Sequence, residues 1–163
     1  MKKFSYFLIV LFLYLQSSLI NAEIVIDGKL DEDEWKEARQ ITSFYEVFPY
    51  TLNPVEDIKT VILVQESSEG IFLGFKNYQS NESMRSQSHQ RDNERSIADK
   101  NGVTIDFDAD KLSGYQFFVS SSGSIGDATY SNENERSYDW DADWLSAAST
   151  EEGVWYSEMF IPW

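Results

Sequence analysis

The sequence contains no cysteine and only one histidine, which limits both how the protein is stabilised and what chemistry it performs. Without cysteine there is no disulfide framework, no lipid anchor on a cysteine and no thiol nucleophile, so stability depends on the core and on any bound metal ion. His89 lies in a polar stretch without a Gly-x-Ser-x-Gly turn, and a catalytic zinc ion normally has several His or Cys ligands. Nucleophilic and zinc-dependent catalysis therefore have no support. A pair of catalytic carboxylates of the glycosidase type stays open among the 28 acidic residues, although no spacing singles out two of them.

Positive charge is also scarce, since 13 lysines and arginines face 28 aspartates and glutamates and the formal net charge is -15. Such a surface repels nucleic acid and anionic lipid and attracts cations, so we expect no nucleic-acid partner and regard calcium as a candidate ligand. Aromatic residues, by contrast, make up 15% of the chain. Aromatic rings together with carboxylates suit a β-sandwich, and they also suit a sugar-binding surface, where rings stack on pyranose faces and carboxylates accept hydrogen bonds from hydroxyls.

Residues 1–22 have the pattern of a secretory signal peptide. Two lysines precede an almost wholly apolar stretch at residues 7–15, and Ala22 ends a small-residue cleavage site. An uncleaved N-terminal anchor is the alternative, but the apolar stretch is shorter than the ~20 residues needed to span a bilayer. We therefore expect an exported protein without a transmembrane span after cleavage, with a single domain at residues 23–163.

Residues 26–38 read Ile-Asp-Gly-Lys-Leu-Asp-Glu-Asp-Glu-Trp-Lys-Glu-Ala and closely follow the expected cleavage point. A short apolar strand is expected to stop at Gly28, which can take the positive φ that a tight turn requires. Asp31 is expected to cap a short helical turn, with Glu34 three residues on as in a capping box. Trp35 lies on one face of that turn, where we expect it to close the end of a sandwich.

The rest of the chain consists of short apolar stretches separated by turn residues, which predicts an all-β, antiparallel β-sandwich of the jelly-roll or immunoglobulin-like type. Apolar and polar side chains alternate in residues 102–108, so Val103, Ile105 and Phe107 are expected to face the core. The chain stops at Trp163 directly after an apolar strand, and we expect that strand to lack its sheet neighbour. The sequence would then be a piece of a longer protein whose sandwich continues.

Asp106, Asp108 and Asp110 alternate with apolar residues, and this spacing is similar to that of calcium-binding loops. An EF-hand is excluded, because glycine is absent from the sixth position of such a loop and glutamate from the twelfth. Three carboxylates that face the same way repel one another unless water or a cation lies between them. These aspartates are therefore the predicted metal ligands, and a solvated acidic turn without metal is the alternative.

The densest aromatic and acidic cluster comprises two tryptophans and three aspartates, namely Trp140, Trp144, Asp139, Asp141 and Asp143. On an extended backbone the two tryptophans share one face and the three aspartates share the other. One interpretation is a stacking platform for a sugar beside acceptors for its hydroxyls. The other is structural: Trp144 begins a core strand and Trp140 fills the end of the sandwich, since most tryptophans are largely buried.

Seven segments, in this order, together resemble carbohydrate-binding modules of family 9, and in particular a subgroup at the N-terminus of long secreted bacterial proteins of unknown function. They are residues 26–38, 70–75, 90–93, 103–108, 114–117, 138–144 and 154–162. The resemblance implies a β-sandwich, carbohydrate binding, frequent attachment to glycoside hydrolases in carbohydrate catabolism, and calcium as a structural ion. Well-understood members carry a sugar-stacking tryptophan in the loop before the strand that matches residues 103–108, whereas residues 79–101 here contain no aromatic residue.

We therefore expect a module, not itself catalytic, that binds a neutral glycan and is followed in the same chain by a downstream domain, often a glycoside hydrolase in this family. The resemblance also implies a bacterial protein, either secreted or located in the cell envelope at the periplasm or outer membrane. A structural or interaction domain of the envelope that has lost the sugar site is the alternative. A haem site is disfavoured, because Met84 and His89 are only five residues apart and would approach the same side of the iron.

Overall fold

The computed structural model describes residues 24–48, 50–55, 59–93, 95–132 and 135–163, so the predicted signal peptide lies outside the described residues. These residues form one short 3₁₀ helix, Asp33–Glu37, and a succession of strands. The strands are β1 (Arg39–Ile41), β2 (Lys59–Glu66), β3 (Gly70–Tyr78), β4 (Lys100–Ile105), β5 (Gly114–Ser120), β6 (Ile125–Ser131), β7 (Glu135–Ser137), β8 (Leu145–Glu151) and β9 (Val154–Pro162).

The strands form two antiparallel sheets. One sheet has five strands in the order β1-β2-β3-β9-β8, and the other has four in the order β4-β5-β6-β7. The prediction of an all-β, antiparallel sandwich is therefore confirmed. In the part of the chain that the structure describes, no helical segment has the length and hydrophobicity that crossing a membrane would require.

β9 is the last strand of the chain, and it lies inside the five-stranded sheet. It pairs with β3 along one edge and with β8 along the other. The expectation that this strand lacks a sheet neighbour is therefore wrong. That the protein continues beyond Trp163 stays a prediction, since the pairing of β9 does not bear on it.

The core lies between the two sheets and follows the alternation of the strands. Its buried members come from β3, β5, β9 and the residue before β8: Leu73, Phe75, Phe117, Val119, Trp144, Met159 and Ile161. Val103 and Ile105 pack against this cluster, as predicted. Phe107 does not continue the pattern, because β4 ends at Ile105 and the Phe107 side chain is 43% exposed. The backbone turns there because the carboxylate of Asp106 accepts hydrogen bonds from the N–H groups of Asp110 and Lys111.

The N-terminal segment, residues 24–38, covers the outer face of the five-stranded sheet instead of closing the end of the sandwich. Trp35 is buried there against Leu63 of β2. Gly74 of β3 lies beneath it, where a Cβ atom would come within 2.6 Å of the Leu30 side chain and 3.2 Å of the Trp35 ring. Only glycine permits this approach, so the segment forms a third layer on the sheet.

The predicted capping box at Asp31 is wrong. The helical segment begins at Asp33, its N-cap is Glu32, and no side chain caps it. The carboxylate of Glu32 instead accepts a hydrogen bond from the N–H of Val25 at 3.1 Å, which ties the helix to residues 24–26. The short strand predicted there is wrong, because these residues pair with no sheet. Several acidic side chains near the start of a helix can act as its cap, so the sequence pattern alone does not decide between them. Here the Glu32 carboxylate bonds to the N–H of Val25 and caps no N–H group of the helix.

Glu158 of β9 fixes the N-terminal segment to the sheet. Its side chain is fully buried, and its Oε2 accepts hydrogen bonds from the N–H groups of Gly28 at 2.7 Å and Asp27 at 3.0 Å. Its Oε1 accepts one from the Trp35 ring nitrogen at 3.1 Å. Burial raises the pKa of Glu158 to about 7, although the hydrogen bonds from Gly28, Asp27 and Trp35 act in the opposite direction. One carboxyl group thus holds the segment on the sheet, and its burial makes the ionised form of that group unfavourable.

We expect the stability of the protein to fall as the pH rises through 7. The pKa of Glu158 is about 7 in the folded protein and 4.5 in an unfolded chain, so the folded state binds a proton more tightly. The stabilisation that results is fully present below pH 4.5 and is lost as the pH passes the folded pKa. From pH 5 to pH 8 the melting temperature of the wild type should therefore fall relative to that of Glu158→Gln, which has no group to titrate at this position. Parallel curves for the two proteins would contradict this assignment.

Candidate functional site

A cavity opens at the end of the sandwich where β4 ends, β5 begins and β9 ends. We call it the end slot, and its volume is about 300 Å³. Its walls combine aromatic and apolar side chains with two carboxylates: Phe107, Tyr115, Phe117, Trp140, Asp141, Ala142, Asp143, Ile161 and Pro162. Concave, mostly apolar sites with a few polar groups are the usual form of small-ligand pockets.

Trp140 is the central aromatic residue of the end slot. It is half-buried, and its ring centroid lies 4.9 Å from that of Tyr115 and 5.9 Å from that of Phe117. Because these rings meet Trp140 at interplanar angles of 60° and 71°, they fix its orientation through tilted and edge contacts. The indole is therefore held in place by the core while its ring borders the cavity.

Two more aromatic residues extend this row towards solvent. The Phe107 ring lies 5.5 Å from that of Tyr115 and 6.4 Å from that of Trp163. Trp163 is 60% exposed, and its ring nitrogen donates a hydrogen bond to the carbonyl of Ser67 at 3.0 Å. A continuous series of rings thus runs from the core to the surface at this end of the sandwich. Sequence patterns singled out neither Tyr115 nor Trp163 as a site residue, because nothing local distinguishes a ring at a cavity from a ring in a core.

Trp144 takes no part in the end slot. It is only 8% exposed, belongs to the core and meets Phe117 edge-on with ring centroids 5.4 Å apart. A ring in this position offers no face to a sugar. The structure therefore separates the two predicted tryptophans: Trp140 borders the cavity, while Trp144 precedes β8 and occupies the core as the structural interpretation has it.

The three predicted aspartates are separated in the same way. Asp141 and Asp143 line the end slot. Asp139 instead closes a local turn with Ser137, whose hydroxyl donates to its carboxylate at 3.3 Å and accepts from its N–H at 3.2 Å. Two carboxylates next to an aromatic wall can accept hydrogen bonds from ligand hydroxyls, so the acceptors of the slot are Asp141 and Asp143.

Arg91 fixes the loop that carries these residues. Its guanidinium forms a bidentate pair with the buried Asp127 of β6 at 2.8 and 3.0 Å, and it lies 2.9 Å from Asp141. Asp127 in turn accepts a hydrogen bond from the N–H of Ala142 at 2.6 Å. A bidentate pair between arginine and carboxylate is geometrically restrictive, so residues 139–144 are held against β6 in one arrangement. Arg91, which lies in the long polar stretch before β4, thus has a structural role.

The carboxylates of Asp92, Asp127 and Asp141 lie within 4.8 Å of one another, and among the described residues they are the one group close enough together to hold a metal ion. The guanidinium of Arg91 already supplies a positive charge to all three, at 3.8 Å, 2.8 Å and 2.9 Å respectively. Burial raises the pKa of Asp92, while the hydrogen bond from the N–H of Asp127 lowers it. The cluster is therefore organised around an arginine.

The predicted calcium ligands lie in the exposed turn after β4. Asp106 accepts hydrogen bonds from the backbone of that turn, and Asp110 accepts from the N–H groups of Leu112 at 2.7 Å and Ser113 at 2.9 Å. These two bonds lower the pKa of Asp110 below its usual value, that from Leu112 contributing most. Asp106, Asp108 and Asp110 do not form a carboxylate trio as close as the one around Arg91. A calcium ion at this turn stays a prediction.

Comparison with solved structures finds the same fold in carbohydrate-binding modules of family 9 from Caldicellulosiruptor kristjanssonii. One structure, a complex with cellotriose, has a TM-score of 0.61 and 10% sequence identity over 86% of this chain and 64% of its own. A second, a complex with glucose, has a TM-score of 0.60 and 10% identity over 87% and 65%. The chain thus spans just under two thirds of the length of these modules. No protein-family model and no curated protein matches the sequence.

The chain therefore has a family 9-like fold, as the seven sequence segments predict. Identity this low establishes the fold alone.

Proposed function

We propose that the chain is a carbohydrate-binding module, without catalytic activity of its own, that holds a neutral glycan in the end slot. The observation that carries the proposal is the position of Trp140, whose ring borders a solvent-open cavity with Asp141 and Asp143 beside it. A flat ring packs against the C–H face of a pyranose, and carboxylates accept hydrogen bonds from its hydroxyls. This pairing of groups is the minimum that a sugar site needs.

The size of the end slot suits a small part of a glycan. Ligand pockets usually measure roughly 300–1,000 Å³, and the slot lies at the lower limit with about 300 Å³. We therefore expect it to hold one terminal sugar ring or two rings, with the rest of the chain in solvent or along the exposed rings of Phe107 and Trp163. Because the modules of the same fold were solved with cellotriose and glucose, β-glucan oligosaccharides are the first ligands to test.

We also propose that the module is exported through residues 1–22 and belongs to a larger secreted or cell-envelope protein, in the subgroup that its sequence resembles. In this arrangement it would bring a glycan to a downstream domain, for example a glycoside hydrolase. The reading frame beyond Trp163 tests this proposal directly. A downstream domain with a hydrolase motif supports it, and a stop codon there contradicts it.

An interaction domain without sugar binding is the second candidate, and one feature favours it. Residues 44–48 and 50–55 form an arm whose two halves are joined by the hydrogen bond from the N–H of Glu46 to the carbonyl of Asn53 at 2.9 Å. Phe48 and Tyr50 on this arm are 93% and 79% exposed. Exposed aromatic groups of this kind are typical of protein contact sites. A folded protein that binds no glycan but loses a protein partner on mutation of this arm would establish the second candidate.

A structural calcium ion at Asp106, Asp108 and Asp110 remains part of the proposal. If it binds there, adding a chelator should lower the melting temperature of the wild type, because the ion stabilises only the folded protein. The same treatment should have no effect on Asp106→Asn/Asp108→Asn. Asp141→Asn is the matched control, since it removes a carboxylate from the cluster around Arg91 instead. A melting curve that chelation leaves unchanged would remove calcium from the account.

A further inference from the structure

We propose that the outer face of the five-stranded sheet carries a second binding site, for an anionic sugar with a carboxylate or sulfate group. The site is a groove of about 460 Å³ between the N-terminal segment and the end of the sheet opposite the end slot. It deepens the proposed function by adding a ligand class, but it uses none of the residues of the end slot.

The floor of this groove is set by the register of the sheet. Val61, Lys76 and Tyr156 are aligned across β2, β3 and β9, and their side chains share the outer face with Glu158. The next aligned row contains Lys59 and Tyr78. The N-terminal segment covers the rows around Glu158 and also packs on Val61. Beside Leu30 and Trp35, the positions of Lys76, Tyr78 and Tyr156 are left open as a groove.

Lys76 and two tyrosines, Tyr78 and Tyr156, line the open part of the groove, and Lys59 lies beside Tyr78 without lining the groove itself. The Lys76 ammonium lies 5.2 Å from the centroid of the Tyr78 ring and 5.5 Å from that of Tyr156, and the Lys59 ammonium lies 4.8 Å from that of Tyr78. Tyr78 and then Tyr156 raise the pKa of Lys76, so its ammonium group stays protonated. Within the described residues neither lysine forms an ion pair with a carboxylate. In a chain with a net charge of -15, the two ammonium groups are a local positive site to which the described part of the chain supplies no ion-paired carboxylate.

The opposite wall offers acceptors for hydroxyl groups. Glu32 lines the groove, and its Oε2 is buried without a hydrogen-bond partner. Gln40 of β1 and Glu151 at the end of β8 also line it. Asp31 is a further carboxylate of the same lining, and the accessible oxygens of these side chains can accept hydrogen bonds from ligand hydroxyls. A neutral sugar would leave the two ammonium groups without a counter-charge, whereas an acidic sugar meets both sides of the groove. The arrangement therefore favours an anionic glycan.

The test is calorimetric titration with two probes at low ionic strength: oligogalacturonate, which carries carboxylates, and a carrageenan oligosaccharide, which carries sulfate esters without carboxylates. We expect at least one to bind, and the one that binds identifies the anionic group. Lys76→Gln and Tyr156→Ala should each weaken binding on the order of 10-fold, as the loss of a charge-assisted hydrogen bond or of a packed ring does. Added salt should weaken it further.

Two variants separate this site from non-specific attraction and from the end slot. Lys111→Gln removes the same charge from the turn after β4 and should leave binding unchanged, and Trp140→Ala should do the same. The proposal is overturned if neither probe binds, if Lys111→Gln weakens binding as much as Lys76→Gln, or if Trp140→Ala abolishes it. Failure of neutral glycans to bind, with the anionic probe behaving as described, would reject the end slot alone.

Discussion

Replacing Glu158 with alanine should lower the free energy of unfolding by about 3 kcal/mol at pH 6, because it removes the one acceptor shared by three donors and leaves a cavity. The N–H groups of Asp27 and Gly28 and the ring nitrogen of Trp35 all donate to this carboxyl group. Without it they are left unpaired between the N-terminal segment and the sheet. Chemical denaturation followed by circular dichroism measures the change.

Two further variants show whether the loss comes from these hydrogen bonds. Glu158→Gln keeps one oxygen for the two backbone donors and has nearly the shape of the protonated acid present at pH 6, so it should lie between the wild type and the alanine variant and closer to the wild type. Glu151→Ala removes an exposed carboxylate from the adjacent strand β8 and should change stability little. If Glu158→Ala were no less stable than Glu151→Ala, the role assigned to Glu158 would be wrong.

Replacing Trp140 with alanine should weaken the binding of a neutral glycan by at least about 30-fold, the loss of about 2 kcal/mol that is typical of a central aromatic contact. The reason is geometric, since Trp140 provides the largest ring at the cavity and is held there by Tyr115 and Phe117. Titration calorimetry with cellotriose measures the effect. Trp140→Phe should retain part of the affinity, because a smaller ring still covers part of the sugar face.

The control is Tyr50→Ala, which removes an exposed aromatic ring from the arm and is not one of the residues that line the slot. It should leave glycan affinity unchanged. Because Trp140 also packs on the core, the melting temperature of each variant must be measured so that weakened binding is not mistaken for unfolding. Equal affinity in the wild type and in a folded Trp140→Ala protein would exclude the end slot as the glycan site.

The fold could be predicted from the sequence because side chains along a strand alternate between the two faces of the sheet. This alternation is directly visible where Val103 and Ile105 alternate with polar residues. Tertiary contacts then altered the local details. Asp31 has the right spacing for a cap, yet the N-cap residue is Glu32, and its carboxylate accepts a hydrogen bond from Val25 instead of capping the helix. Trp35 was expected at the end of the sandwich, and it lies on the face of the sheet because Gly74 leaves room for its ring.

The candidate site was only partly predictable. The cluster of two tryptophans and three aspartates is obvious in the sequence, but an extended backbone places Trp140 and Trp144 on one face, whereas residues 138–144 do not form a strand. The bidentate pair between Arg91 and Asp127, 36 residues apart, sets the path of the chain there. One of the three arginines within residues 79–101 of an acidic chain is a weak signal for such a pair. The alternation in residues 102–108 predicted Phe107 in the core, and the exposed ring of Trp163 had no local signal at all.

The central claim is that Trp140 contacts a glycan in the end slot while Trp144 remains inside the core. The most direct measurement is the NMR spectrum of the tryptophan ring N–H groups during titration with cellotriose, since each tryptophan contributes its own signal. We predict that the Trp140 signal shifts with saturation and that the Trp144 and Trp35 signals do not move. Shifts centred on any tryptophan other than Trp140, or no shift with cellotriose or any other neutral glycan, would contradict the account.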